Sequence, residues 1–443
     1  MADGSLGGAG DEDGWVPTRA FGRAILVVGV LVLLAALTGR YDLVVLAAPF
    51  ALGTALSLRR RPAALPAPEL STMDARIVEG DDFAVRVSVA NPDPVALDLV
   101  LVRLWLPRWV RVRDADHPYA APVAAGSVAE IDLSGTALRW GRHDVGPLSL
   151  HGVACDGLLV SLRVECEPLP IKAYPATDPF RADEAMPRAA GLVGQHHSRK
   201  PGEGGELAGV REFSPGDRLR RIDWRVTLRT RRVHVVSTLS DRDAEVVLLL
   251  DVLHEAGESG GTGGAASVLD TTVRAAAGIA EHYLHRGDRV AMLEYGFRAR
   301  RLRPATGRRQ YLTVLEWLLD AKPAGGADQP STGAFGAHLL SANALVIVLT
   351  PLLDQRSAAM VAGLARSGRF VVAVDTLPPS LRPPTDGAWG PLADRVWRMS
   401  RENVIGLLRE HGVPVVGWAG AGSLDHVLRD VTRLASAPKV GRR

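Results

Sequence analysis

The densest group of chemically capable side chains lies between residues 211 and 232. The chain there reads Arg211, Glu212, Phe213, Ser214, Pro215, Gly216, Asp217, Arg218, Leu219, Arg220, Arg221, Ile222, Asp223 and Trp224, with Arg225, Arg229, Arg231 and Arg232 close behind. Guanidinium forks match carboxylates bidentately, so Arg211, Arg220 and Arg229 can pair with Glu212, Asp217 and Asp223 and pin the segment to its domain. The eight arginines outnumber the three carboxylates, and the surplus could instead form a site for an anion or an acidic partner. Pro215, Gly216 and Asp217 read as a tight turn, since Gly accepts positive φ and Asp bonds its own turn backbone.

A second set of candidates is Asp251, Glu255 and Asp354. Asp251 closes an apolar run from Glu245 to Leu250, and Asp354 follows another from Ala344 to Leu349. Carboxylates on one crevice rim suit a hard cation, or acid–base work if their pKa values are held apart. A hydrolase-like enzyme using them is therefore one reading of the chain.

Other groups promise less. His196 and His197 are adjacent and lack a third ligand nearby, as in a solvated loop. Cys155 and Cys166 are the only cysteines and read as reduced, buried thiols. Gly260 to Gly264 lacks the Lys and the strand-to-helix setting of a phosphate loop, and no nucleophile elbow or dinucleotide fingerprint is present. A formal net charge of +3 over 443 residues argues against general nucleic-acid binding, which calls for a strongly basic face.

The second set needs a sheet to hold it. Glu245–Leu250, Arg289–Tyr295, Ala344–Leu349, Phe370–Asp375 and Val413–Trp418 are apolar runs, alternating with helical periods near Ser267–His285, Arg309–Leu319, Arg356–Arg366, Arg401–His411 and Leu424–Leu434. Such alternation specifies a largely parallel sheet covered on both faces, here a doubly wound α/β domain over 244–437. Ligand crevices in these sheets form at the carboxyl ends of the strands. A signature segment, 211–243, precedes it, and a basic tail, 438–443, ends the chain. Residues 177–210 read as an irregular connector.

Upstream, Phe83–Ala90, Leu97–Trp105, Val128–Leu133 and Pro147–Val153 alternate apolar and polar residues between turn clusters. Period-two patterning of this kind predicts short antiparallel strands, and residues 69–176 are expected to form a β-sandwich. A Pro/Ala linker, 62–68, separates it from two uncharged apolar runs, Ala24–Leu37 and Leu43–Leu58. These predict a two-helix transmembrane hairpin over 19–61 behind a disordered tail, 1–18. Arg19 and Arg23 precede the pair and Arg59, Arg60 and Arg61 follow it, so the positive-inside rule places both termini and the soluble domains in the cytoplasm. A cleaved signal peptide competes less well, because a second apolar run follows at once.

The run from Arg211 to Trp224, continued by Thr227, Leu228 and Arg229, resembles the signature of the bacterial family called domain of unknown function 58. The resemblance extends to the paired apolar runs, the β-rich middle and Arg286-Gly-Asp-Arg-Val290, and departs where Thr227-Leu228 replaces the usual Ser-Ala. It implies a von Willebrand factor A-like α/β domain, with the signature residues Arg211, Glu212, Gly216, Asp217, Arg220, Asp223, Trp224 and Arg229 in a partner-binding role. In that fold a divalent ion is held by a D-x-S-x-S loop and later Thr and Asp ligands. Here Asp251 leads the loop but Leu253 and Glu255 occupy the serine positions, and Thr350-Pro351 stands where Ser-Asp is usual. The resemblance thus implies a degenerate metal site at Asp251, Glu255 and Asp354, without a cofactor. It also implies a membrane-anchored interaction module, bound to lipid and working with a MoxR-type AAA+ ATPase in the maturation or assembly of other proteins.

Overall fold

The computed structural model describes residues 14–443 except 75, 115–116, 178–200, 215–218, 220–221, 240–244, 298–299, 324–339, 341–343, 382–388 and 419–443; within 201–208 and 237–239 only the backbone is described. The described chain is a mixture of strands and helices in two compact units, residues 1–174 and 175–443. The helix expected at Leu424–Leu434, the histidine pair and the basic tail lie outside the described residues.

The first unit opens with strand β1 (Trp15–Pro17), helix α1 (Arg19–Thr38) and helix α2 (Asp42–Leu58). Residues 15–17, expected within a disordered tail, pair antiparallel with a strand of the β-rich region, and Trp15 is buried. Three residues are too few to show a period, so only the tertiary contact reveals them. Thr18 caps α1 by accepting from the Phe21 N–H, and Gly39 ends it at φ 68°, the left-handed conformation a helix stop requires. At 20 residues α1 is long and apolar enough to cross a membrane. Helix α2 has 17 residues and runs unbroken through Pro49.

Strands β2 (Ala67–Thr72), β3 (Ile77–Val78), β4 (Asp82–Ala90), β5 (Leu97–Leu104), β6 (Val110–Val112), β7 (Tyr119–Val123), β8 (Val128–Ala137), β9 (Gly141–Val145), β10 (Leu148–Ala154), β11 (Leu159–Ser161), β12 (Val164–Cys166) and β13 (Leu169–Tyr174) follow. They form sheets ordered β1-β11-β10-β5-β7 with β12 beside β10, β2-β4-β8-β6, and β3-β13-β9. All three sheets contribute to one core, with Val85, Val87, Val102, Leu148 and Leu150 fully buried in it. The period-two reading holds well in β4, where Phe83, Val85, Val87 and Val89 face inward.

The second unit begins with β14 (Pro201–Glu212), α3 (Trp224–Thr230) and β15 (His234–Leu239). Strand β14 starts inside the stretch expected to be irregular and pairs antiparallel with β15, in a two-stranded sheet separate from the larger one. Its Gly- and Glu-rich half has no apolar alternation, so its partner strand, not its own pattern, makes it visible. Next come β16 (Glu245–Asp251), α4 (Val268–His285), β17 (Arg289–Tyr295), β18 (Arg301–Ala305), α5 (Gly307–Leu318), β19 (Ala344–Thr350), α6 (Gln355–Arg366), β20 (Phe370–Asp375), α7 (Gly390–Glu410) and β21 (Val415–Gly417). The sheet order is β18-β17-β16-β19-β20-β21, parallel except for the edge strand β18.

From β16 the chain winds first toward β17 and β18, then crosses to β19 on the other side. The change of direction makes the adjoining ends of β16 and β19 a topological switch point, the usual place for a crevice. Alternate residues serve the two faces: Val247, Leu249, Val346 and Val348 pack with Val361 and Leu364 of α6 and Leu408 of α7. Ser267 starts α4 with a reciprocal capping box, bonding the Asp270 N–H while Asp270 accepts from the Ser267 N–H. Helix α7 is longer than its expected span from Arg401, beginning at Gly390. Its first half places Leu392, Val396 and Met399 in solvent, so no buried stripe marked it.

Candidate functional site

At the switch point Asp251 is buried, and its Oδ2 accepts a 2.6 Å hydrogen bond from Thr350 Oγ1. Its Oδ1 accepts from the Leu253 N–H at 3.2 Å. Burial pushes the Asp251 carboxyl above the ordinary carboxylate range, and these bonds offset the effect only in part. The Ser357 hydroxyl faces the same carboxyl and favours its ionised form, yet its oxygen is buried without completing a hydrogen bond of normal geometry.

Asp354, the N-cap of α6, is placed otherwise. It accepts from the Arg356 N–H at 2.7 Å, from Arg356 Nη2 at 2.7 Å, and bonds His254 Nε2 at 2.7 Å. The Arg356 guanidinium, followed by the backbone and His254 bonds, holds its carboxyl well below the usual range against a smaller cost of burial. Glu255 turns toward α4, where its Oε1 accepts from the Leu269 N–H at 3.3 Å. Asp375, at the end of β20, is bonded by Arg401 of α7, which also donates to the Pro351 carbonyl.

The three carboxylates are thus near one end of the sheet but each has its own protein partner. Among the described residues no group of three His, Cys, Asp or Glu side chains converges as metal ligands. Guanidiniums of Arg356 and Arg401 supply the positive charge that a cation would otherwise bring. Neither they nor His254 were singled out from sequence; Arg356, two residues after a helix-capping Asp, is the one local signal that could have done so.

In the signature segment the described side chains are engaged as follows. Glu212 bonds Arg232 at 2.9 Å, both well exposed, whereas Arg211 donates to the Glu212 carbonyl. Asp223 spends its carboxylate on the backbone, capping α3 through the Arg225 and Val226 N–H groups. Gly216, Asp217 and Arg220 lie outside the described residues. The reason is local: a seven-residue helix needs its N-terminal donors satisfied, and an Asp one residue before it does so at once.

Helix α3 turns Val226 and Thr227 inward and sets Trp224 and Leu228, one turn apart, in solvent at 64% and 79% exposure. Arg225 and Arg229, also one turn apart, form a second exposed stripe, and Arg231 follows at φ 60°. None of these three arginines has a carboxylate partner among the described residues. Leu219, Val210 and Val233 add exposed apolar surface nearby in sequence. Trp and Arg are among the side chains enriched at the energetic centres of protein–protein contacts.

The fold and this segment define the class as a doubly wound α/β domain introduced by an arginine-rich hairpin. Residues 209–387, which include part of the hairpin and the sheet strands β16 to β20, match the family model described as Protein of unknown function DUF58. Uncharacterized proteins of Mycobacterium bovis and Mycobacterium tuberculosis are 35% identical over 137 residues, 30% of this chain and 42% of theirs. The match therefore spans less than half the length of these relatives. Among solved structures, a mutant PilB minor pilin of Streptococcus sanguinis aligns over 76% of this chain and 87% of its own at 8% identity, with a TM-score of 0.29. Native alpha-2-macroglobulin of Escherichia coli aligns over 26% of this chain and 17% of its own at 19% identity, TM-score 0.22. At these scores neither bears on fold or function.

Proposed function

We propose that the protein is a membrane-anchored docking module that binds another protein rather than transforming a substrate. On this reading α1 and α2 form a two-pass hairpin, with both termini and the soluble units in the cytoplasm. Arginines 19, 23, 59, 60 and 61 flank the outer ends of the pair, while Arg40 in the turn is neutralised by Asp42 at 2.7 Å, which sharpens the charge asymmetry that sets orientation.

The observation that carries the proposal is the contrast between the two candidate sites. The strand-end carboxylates are bonded internally to Thr350, Arg356, His254 and Arg401, whereas Trp224, Leu228, Arg225 and Arg229 are exposed, and among the described residues the two arginines have no carboxylate partner. Resemblance to a von Willebrand factor A-like domain and to MoxR-associated proteins supports a AAA+ ATPase of MoxR type as the partner, in the maturation or assembly of other proteins.

The test is capture from bacterial membranes with the full-length chain as bait, beside the Trp224→Ala/Leu228→Ala variant. Recovery of such an ATPase by the wild type and its loss in the variant is the expected result. Equal recovery by both, or turnover of a small substrate by the purified protein alone, would overturn it. Reporter fusions after Arg443 test the orientation independently; a periplasmic signal removes a cytoplasmic ATPase from consideration.

A further inference from the structure

Helix α7 carries apolar residues on two opposite faces. Trp397, Arg401, Ile405 and Leu408 are buried or half-buried toward the sheet, and Arg401 from that side reaches Asp375 and the Pro351 carbonyl. At 3.6 residues to the turn, Trp389, Leu392, Val396, Met399, Asn403 and Gly406 run along the opposite side, spaced alternately by three and four positions. Trp389, Leu392, Val396 and Met399 of this stripe are 77%, 53%, 58% and 56% exposed. A helix on the surface of a globular domain needs one apolar stripe. A second one, with three-and-four spacing, is the seam by which two helices coil together.

Two further features lie on this outer face. Gly406 sits inside the helix, where glycine costs about 1 kcal/mol relative to alanine, and a Cβ there would meet nothing within 4 Å. Packing within the chain therefore gives no reason for the missing side chain. Arg395 and Glu402, seven positions apart, flank the same edge of the stripe. Both are exposed, and neither has an ion-pair partner among the described residues.

We propose that α7 is a self-association surface, pairing antiparallel with α7 of a second copy of this chain across a two-fold axis that passes between residues 397 and 398. In that register Val396 meets Met399 of the second copy, Leu392 meets Asn403, and Trp389 covers the space left open at Gly406. Arg395 of each copy falls within about 3 Å, along the helix axis, of Glu402 of the other, so one interface makes two reciprocal ion pairs of the kind that sets partner orientation in coiled helices. A parallel pair would set Arg395 beside Ser400 and Gly406 on Gly406, with no charge match and a gap in the seam. Asn403, the one polar member of the stripe, costs stability and fixes the register. The surface is small beside the roughly 20–30 residues a side of a standard interface, so the dimer forms reversibly. Residues 419–443 of the same chain, which lie outside the described residues, and an unrelated protein are the competing occupants.

The test uses full-length protein in mild detergent, with self-association followed by sedimentation over a concentration series and by co-purification of two differently tagged copies. The wild type is expected to form a dimer, and Val396→Glu, which keeps a good helix former at an exposed position, to remain monomeric with unchanged helicity. Arg395→Glu and Glu402→Arg, each turning two ion pairs into two repulsions, should each weaken self-association roughly tenfold. Mixed together, those two variants should associate about as tightly as the wild type, because each supplies the charge that the other lacks. A folding defect cannot produce that rescue, and neither can a parallel pair. A wild type that stays monomeric, whichever of the other occupants covers the stripe, overturns the proposal. So does a dimer that Val396→Glu leaves intact, or a mixture of the charge variants that associates no better than either alone.

Discussion

Thr350 and Asp251, 99 residues apart in the chain, share a buried 2.6 Å hydrogen bond where the ends of β19 and β16 adjoin. The carboxyl it reaches is almost fully removed from water, and burial raises its pKa. The folded state therefore binds a proton that the unfolded chain releases near pH 4, about the ordinary carboxylate value. Stability falls as pH rises from there to the raised folded value. Asp251→Asn cannot ionise, so its melting temperature should lack this loss and at pH 7 equal or exceed that of the wild type. Thr350→Val, which strips the carboxyl of its best partner, should cost about 1–3 kcal/mol. Thermal unfolding of both variants between pH 4 and 8 checks the pair; an unaltered pH dependence in Asp251→Asn would refute the assignment.

Asp354 should behave with the opposite sign. Its pKa is lowered chiefly by Arg356, so its contribution is complete above about pH 4 and is lost as pH falls toward the depressed folded value. Arg356 is about one-third exposed, and solvent screening limits what the pair contributes. Arg356→Gln should lower stability at pH 7 and almost as much at pH 3, the effect fading only as pH falls further toward the depressed folded value, as read from urea midpoints across that range.

The same neutralisation decides the metal question experimentally. With Asp354 held by Arg356 and His254 and Glu255 turned to the α4 backbone, calorimetric titration with magnesium, calcium or manganese should give no saturable micromolar binding. Saturable heat in the wild type would restore the metal reading of Asp251, Glu255 and Asp354.

Much of the fold is legible in sequence because burial leaves a period. The continuous apolar runs of β16, β17, β19 and β20 and the alternation in β4 and β5 are direct traces of two covered faces and one. Elements lacking such a trace are the ones missed: β1 depends on Trp15 finding the β-rich core, β18 is an edge strand, and the first half of α7 turns apolar residues outward. The candidate site was legible in residue type but not in pairing. Asp251 and Asp354 stand out at strand ends, yet Arg401 joins Asp375 from 26 positions away, and no local pattern announces a contact of that kind. Likewise Asp223 could equally have paired with an arginine; only the start of α3 shows that it serves the backbone.

The exposed faces of α3 separate docking from stability. Trp224→Ala and Leu228→Ala remove side chains that are exposed among the described residues, and should change unfolding free energy by no more than about 0.5 kcal/mol. If Trp224 anchors a partner, Trp224→Ala should weaken binding by about 2 kcal/mol or more, and Leu228→Ala by less. Arg225→Gln with Arg229→Gln should act chiefly on the association rate and on its salt dependence. Surface plasmon resonance with the captured partner at 50 and 300 mM salt distinguishes the two stripes; equal effects on stability and binding would show that α3 is merely part of the core.

Thr18 has two roles that a single substitution can expose. Its hydroxyl caps α1 and also donates to the Gly157 carbonyl at 2.7 Å, while its N–H donates to Leu158. At the other end of the pair, Ser57 bonds Asp156 and the Arg60 carbonyl accepts from Cys155. Both outer ends of the helix pair thus meet the same turn between β10 and β11, so the β-rich sheets are fixed to the helices rather than hung from a linker. Thr18→Ala should cost about 1 kcal/mol from the cap alone, and more if the Gly157 bond matters. Adding Asp156→Ala to it should release the attachment further, with non-additive loss because the two sites share one turn. Limited proteolysis of the full-length protein at residues 59–66 reads this out: the double variant should be cut there several times faster than either single variant, and an unchanged rate would mean that the turn does not hold the helices.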